Sequence, residues 1–263
     1  MKLFTTCMVC LKELGYSSFE PIIADYFEGA TAIIECARGH KSAVILLGQK
    51  FEILFESGAS ALLEGYTIEA ASSFSASLER FYEFCIRVFR IKDGLNEIEF
   101  AKTFKEMAHQ SERQFGVFQY LYLQNFGKAY QVKHNLVTFR NKVVHKGYIP
   151  TIEEAESYGA QIFDEICDVY TLLKSAIVDD ITKAVFAEMW ERGKNLPSNM
   201  PRATLSQSSF FSFAQDSPKA SFKEALVLYK ERQEMLGKAI PEMSALNKIV
   251  NTAINTTPEA HNE

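Results

Sequence analysis

No apolar run in these 263 residues approaches the roughly 20 needed to cross a bilayer. The opening Met1-Lys2-Leu3-Phe4 soon meets Thr5, Thr6 and two cysteines, then Lys12 and Glu13, which is too short an apolar stretch, and wrongly flanked, for a secretory signal. The expectation is therefore a cytoplasmic chain with no membrane partner. In that compartment its five cysteines are reduced, so their spacing bears on metals before disulfides. No segment recurs at a 34-residue period, so the paired helices expected over 49–90 are not a repeat array. Acidic residues are missing from one long stretch: none stands between Glu112 and Glu153.

What is present suffices for a core. Hydrophobic residues make up 47%, enough for one large domain or a core domain with a small companion. The net charge of −5 disfavours general nucleic-acid binding, yet its distribution is uneven. The acid-free gap holds Arg113, Lys128, Lys133, Arg140, Lys142 and Lys146, leaving 22 bases against 33 acids elsewhere. Eight aromatics, from Phe115 to Tyr148, are interleaved with them. A local positive field beside aromatics suits a phosphate backbone with unstacked bases. The same pattern also fits a solvated basic helix with its aromatics turned to the core.

Three regions are expected. Residues 1–47 hold two β-prone runs, 31–35 and 42–47, flanking a turn with Cys36, Gly39 and His40, which reads as a small hairpin. From 48 to 194 the period is helical. Helices are expected over about 49–65, 67–90, 96–114, 115–126 and 130–145, with Gly147 as a C-terminal cap. Pro150 then precedes Thr151-Ile152-Glu153-Glu154, a capping box that opens a long helix interrupted near Asp179-Asp180. Residues 195–263 begin as a Ser-, Pro- and Asn-rich linker or arm made adhesive by Phe210, Phe211 and Phe213. A last helix is expected over about 221–238, with disorder from Asn255. The fold class is mainly α, a helical bundle preceded by a small β segment.

On a helix turning about 100° per residue, Leu136, Val137, Phe139, Val143 and Val144 form one apolar arc, and Arg140 falls inside it. A guanidinium on a buried side implies an acidic partner or a phosphate. Glu79, at the edge of an apolar helix face, is the candidate partner, with Glu83 second. Asn141 and His145 stack one turn apart at the border of the arc, with His134 on the same strip. Imidazole titrates near neutrality, so His145 suits proton transfer.

The run Phe139-Arg140-Asn141-Lys142-Val143-Val144-His145-Lys146-Gly147-Tyr148, followed by Pro150-Thr151, resembles the signature of the HEPN superfamily: Arg, a polar residue, three more, then His. Ser77-Leu78-Glu79-Arg80-Phe81-Tyr82-Glu83-Phe84 is similar to the first long helix of many such domains. The resemblance covers about 49–194. It implies a helical bundle, usually a homodimer with two motifs facing one cleft, and often a metal-independent ribonuclease. In that scheme a ribose 2′-OH attacks the adjacent phosphate, leaving a 2′,3′-cyclic phosphate and a 5′-hydroxyl. The resemblance makes His145 the general acid or base, Arg140 the stabiliser of phosphorane charge, and Asn141 the residue orienting phosphate or ring. Lys142, Lys146 and Tyr148 would support them. The family's settings are antiviral defence, toxin–antitoxin pairs and RNA processing. One HEPN subset carries Tyr two residues after the His; here Tyr148 is three after, so that subset's silencing by a nucleotidyltransferase is not carried over.

Cys7-x2-Cys10, then 25 residues, then Cys36-x3-His40 offers three thiolates and an imidazole, which suits structural zinc with all four positions filled. The Cys-x-x-Gly-His half resembles a zinc ribbon. Two unrelated cysteine pairs, or a redox pair at Cys7 and Cys10, fit the spacing too. Cys85 and Cys167 lie on apolar helix faces as core residues, and His109 on a solvated one. Three functions compete: an RNA endonuclease; a non-catalytic dimeric module binding RNA or protein; and an antitoxin-like scaffold whose 195–263 arm covers the cleft. A regulatory protein partner fits each.

Overall fold

The structure is a computed structural model that describes residues 2–15, 22–206, 209–211 and 221–256. The elements along the chain are β1 (Lys2–Thr5), α1 (Met8–Leu14), β2 (Ile22–Asp25), β3 (Thr31–Glu35), β4 (Lys41–Leu46), α2 (Lys50–Leu63), α3 (Thr67–Lys92), α4 (Glu97–Met107), α5 (Ser111–Phe126), α6 (His134–Lys146), α7 (Ile152–Gly193), β5 (Arg202–Leu205) and α8 (Phe222–Thr256). With 67% of residues helical and a small separate sheet region at the amino terminus, the fold is mainly α, as the periodicity implies. The chain divides into two compact units.

One unit comprises 1–47, 189–207 and 230–263. β1 and β2 pair antiparallel, with Leu3 opposite Ala24. The expected hairpin is β3 and β4, antiparallel with Ile33 opposite Ala43. β5 then adds to β4 in parallel, with Val44 opposite Ala203. β4 sits between two partners, and Ser42 to Leu46 are all buried, as a continuous apolar run in a central strand requires. Arg192 near the end of α7 donates to the Leu46 carbonyl at 2.5 Å. Three features depart from the sequence reading. Cys7 and Cys10 stand at the start of a short helix, α1, that the cysteine spacing does not announce. β1 pairs with β2, and β5 is a strand inside the segment read as a linker. Of the region read as a linker or arm, 195–207 and 230–263 group with this unit and 208–229 with the other.

The other unit comprises 48–188 and 208–229. α2 and α3 form an antiparallel hairpin, turned at Gly65, whose φ of +81° lies in the left-handed region that glycine tolerates. Its packing centres on Phe74, fully buried in α3, whose ring lies against Gly58 of α2 and Gly159 of α7. A Cβ at either glycine would come within 2.7 Å of that ring, so both helices approach as only glycine permits. Phe55, Phe163, Phe210, Phe211 and Phe222 extend the aromatic core, so Phe210 and Phe211 do pack on the bundle. Phe213 lies outside the described residues.

Boundaries moved where local chemistry outweighed periodicity. The expected 96–114 helix is α4, capped by the Asn96 side chain on the Ile98 and Glu99 amides, and it stops at Met107; 111–114 open α5. α7 is interrupted at Ile177 (φ −146°, ψ 44°), just before Asp179-Asp180. α8 continues past 238, through Pro241, to Thr256. The expectation of disorder from Asn255 concerns a tail that, beyond Thr256, lies outside the described residues.

Candidate functional site

α6 is short, and its position is fixed at both ends. Gly127 (φ +66°) ends α5, and Gly147 (φ +65°) caps α6 as its spacing anticipates. The next turn leads into the capping box: the Glu154 amide donates to Thr151 Oγ1 at 3.2 Å, and the Thr151 amide to Glu154 Oε2 at 2.9 Å. Tyr148 Oη donates to Glu154 at 2.8 Å, and Lys142 Nζ lies 3.2 Å from the centre of the Tyr148 ring. Those hydrogen bonds, first from the Thr151 backbone and then from Tyr148, hold the Glu154 carboxyl below its usual range. Leu136 and Val143 are buried, and Phe139 packs on Tyr158 with ring centres 4.6 Å apart. Of the arc read from the sequence, Val137 and Val144 remain 47% and 45% exposed.

Arg140 stands between the buried and open faces with its side chain 22% exposed. Nη2 pairs with Glu79 Oε1 at 3.1 Å, the partner expected from the sequence. Nη1 donates to Asn141 Oδ1 at 3.2 Å and meets His145 Nε2 at 3.0 Å. A guanidinium only donates, so Nε2 is the acceptor and the ring carries its proton on Nδ1. The guanidinium therefore gathers a carboxylate, an amide and an imidazole at one edge of the bundle. Glu83 is not part of this group: its carboxylate is taken by Arg80 and Arg87 on its own helix. His134 opens α6, exposed, about 10 Å along the axis from Asn141. Lys142 and Lys146 are exposed on the same helix.

Tyr130 stands in the segment between α5 and α6. Its hydroxyl donates to the buried Glu165 at 2.5 Å and lies 2.8 Å from the Tyr82 hydroxyl, while Lys133 Nζ reaches Glu165 at 2.7 Å. Burial pushes both tyrosine hydroxyls up, so they stay protonated. Two bases of the acid-free stretch are therefore not freely available: Lys133 belongs to an ion pair and Arg140 to another. No periodic signal marks Tyr82–Tyr130–Glu165, since those partners lie 48 and 35 residues apart.

The second cluster is the one the cysteine spacing anticipates. One ligand atom from each of Cys7, Cys10, Cys36 and His40 lies within 4.8 Å of every other, close enough to hold one metal ion. Cys7 is the amino-terminal cap of α1, its Sγ accepting the Cys10 amide at 3.4 Å, so the first Cys pair is set by a helix start. The second comes from the β3–β4 turn, where the Gly39 amide donates to Cys36 O and Gly39 adopts a φ of +78°. His40 Nδ1 faces the sulfurs, 3.3 Å from Cys10 and 3.9 Å from Cys7, and Nε2 faces Glu13 at 3.5 Å. Arg38 bridges Glu13 and Cys10 Sγ. Burial, with the neighbouring Cys7 and Cys36 thiols, pushes the Cys10 thiol up to about 11. For Cys36 burial acts in the same sense but is outweighed by hydrogen bonds from the His40 and Arg38 backbone, and the thiol is lowered. Glu13, three residues after Cys10, was not singled out from the sequence. Cys85 is fully buried and Cys167 half-buried, apart from this cluster.

Among the described residues no helix is long and apolar enough to cross a membrane. Comparison of the chain with protein-family models, with curated proteins and with solved structures finds no match.

Proposed function

We propose that this chain is an RNA endonuclease of HEPN type, acting as a homodimer through Arg140, Asn141 and His145. The observation that carries the reading is the convergence of Arg140 Nη1 on both Asn141 Oδ1 and His145 Nε2 at an open edge of α6. Sealing of these groups inside the bundle would have removed the reading, and His145 is exposed.

The chemistry follows from the groups. A phosphodiester docking at the guanidinium would replace Asn141 and His145 on Nη1, freeing His145 Nε2, and would set its non-bridging oxygens where charge grows as the 2′-oxygen attacks phosphorus. The unprotonated His145 Nε2 suits removal of the 2′-proton; the P–O5′ bond breaks, and the 5′-oxygen takes a proton. The products are a 2′,3′-cyclic phosphate and a 5′-hydroxyl. No metal takes part in this scheme, which two His145 rings from paired subunits would complete as base and acid. Val137 and Val144, exposed beside the motif, together with exposed Ile149 and Ile152, offer apolar surface for that pairing. Defence, toxin–antitoxin control or RNA processing in the cytoplasm is the setting the resemblance supports, with a regulatory protein partner.

We assign the second cluster to structural zinc. A tetrahedral ion with Zn–S bonds of about 2.3 Å has S···S edges of about 3.8 Å, and Cys10 Sγ stands 3.8 Å from Cys36 Sγ. Glu13 would hold His40 in the ligating tautomer through Nε2. Bound there, zinc would tie α1 to the β3–β4 turn.

The test is RNA cleavage by His145→Ala and Arg140→Ala. Both should lose activity with unchanged helical circular dichroism; undiminished cleavage by both ends the assignment. A non-catalytic module is favoured by one observation, the Arg140–Glu79 pair, which packing alone would use. RNA binding without cleavage by the wild type would select it.

A further inference from the structure

A cavity of about 140 Å³ opens beside the arginine–histidine cluster, among α3, α5, α6 and α7, and Arg140 forms part of its wall. Leu78, Leu136, Tyr82, Phe115 and Tyr158 make the wall mainly apolar and aromatic. Charged groups line it too, Glu79, Glu112 and Lys133 with Arg140, and Gln114 is the most buried polar side chain among them. It lines the cavity, is 2% exposed, and its Oε1 accepts from Arg80 Nη2 at 3.2 Å. Arginine has no acceptor, so the amide oxygen must face it and the nitrogen takes the other side. That Nε2, a buried donor of two hydrogen bonds, has no partner among the described residues. A buried donor left open is destabilising, and an acceptor on a ligand would relieve it.

We propose that this cavity takes the base of the nucleotide whose phosphate meets Arg140, as an unstacked pyrimidine with a carbonyl oxygen on Gln114 Nε2. The assignment rests on the nuclease reading and specifies its substrate. Size favours the smaller base: a closed cavity of about 150 Å³ holds one benzene, and 140 Å³ gives room for one six-membered ring. Chemistry selects the contacts, since unstacked bases are held on aromatic faces and read through their edges. Both pyrimidines carry a carbonyl acceptor. Arg140, shared by cavity and motif, sets the distance between base and phosphate.

The experiment is saturation-transfer NMR on the full chain with uridine 3′-monophosphate, adenosine 3′-monophosphate and ribose 5-phosphate, alongside RNA cleavage. In the wild type, saturation should reach the uracil H5 and H6 protons several-fold more strongly than adenine protons. Gln114→Leu removes the donor at similar volume and should weaken the uracil signal about fivefold. Val132→Trp, on the cavity wall just before α6, leaves Gln114 intact and should block the cavity. A uracil signal undiminished in both variants, or adenine bound as well as uracil, overturns the base site. If His145-dependent cleavage persists in that case without base preference, the nuclease reading stands alone. If the uracil signal responds as expected in both variants and no RNA is cut, the base site stands and the nuclease reading is lost.

Discussion

Replacing Arg140 with lysine keeps the charge of α6 and removes the fork. In the wild type, Nη2 engages Glu79 at 3.1 Å while Nη1 serves Asn141 and His145 at 3.2 and 3.0 Å. An ammonium is a compact point donor, so a lysine can stay with Glu79 or reach the Asn141–His145 pair, but it cannot hold a planar phosphate fork. The stability cost is small. With the side chains 22% and 30% exposed, desolvation and side-chain ordering offset most of the attraction, and such a pair contributes about 1 kcal/mol or less. Catalysis depends more strongly on the fork, because loss of one aligned donor to a transition-state oxygen costs about 2.7–4 kcal/mol, a factor of roughly 10² to 10³. Single-turnover cleavage of end-labelled RNA by Arg140→Lys should fall by that factor, while urea unfolding moves by about 1 kcal/mol at most. Cleavage near the wild-type rate would refute the role of the fork. A drop in activity matched by unfolding would refute the separation of chemistry from packing.

Gly159→Ala should destabilise the helical unit. Its Cβ would stand 2.7 Å from the Phe74 ring, which Gly58 prevents from retreating, so an overpacking cost of about 1–3 kcal/mol is only partly offset by about 1 kcal/mol of helix propensity; a raised urea midpoint would contradict the sandwich. The lowered Glu154 carboxyl stabilises the fold fully above its ordinary value of 4.5, and that contribution is lost as pH falls through the folded value. Thermal melts below pH 4.5 should therefore be less steeply pH-dependent in Glu154→Gln than in the wild type, and equal slopes would dismiss the capping box as the source. Purified protein should carry close to one zinc per chain by elemental analysis, and chelation should unfold the sheet-bearing unit. Well under one zinc after careful purification would count against the site.

Much of the site was legible because its determinants are local. Gly147, Pro150, Thr151 and Glu154 delimit α6 and α7 through turn and cap chemistry that acts over a few residues. Glu79 was legible as the partner of Arg140 because a charge at the rim of one apolar face needs an opposite charge at the rim of its neighbour. The Cys–His cluster was legible in membership but not in form. Spacing cannot distinguish a β knuckle from α1, a seven-residue helix started by the Cys7 sulfur. β5 was hidden because Arg202 to Leu205 alternates only between half-buried and exposed, and its order comes from pairing with β4. Gln114 was hidden for a related reason: its bond to Arg80 spans 34 residues, and the tertiary packing of α3 on α5 creates it.

The most direct measurement is to incubate purified protein with total RNA in the presence of a chelator and map the new ends. The account predicts 2′,3′-cyclic phosphates and 5′-hydroxyls that vanish with His145→Ala. Ends bearing 5′-phosphates, or the same ends produced by the His145 variant, would contradict it.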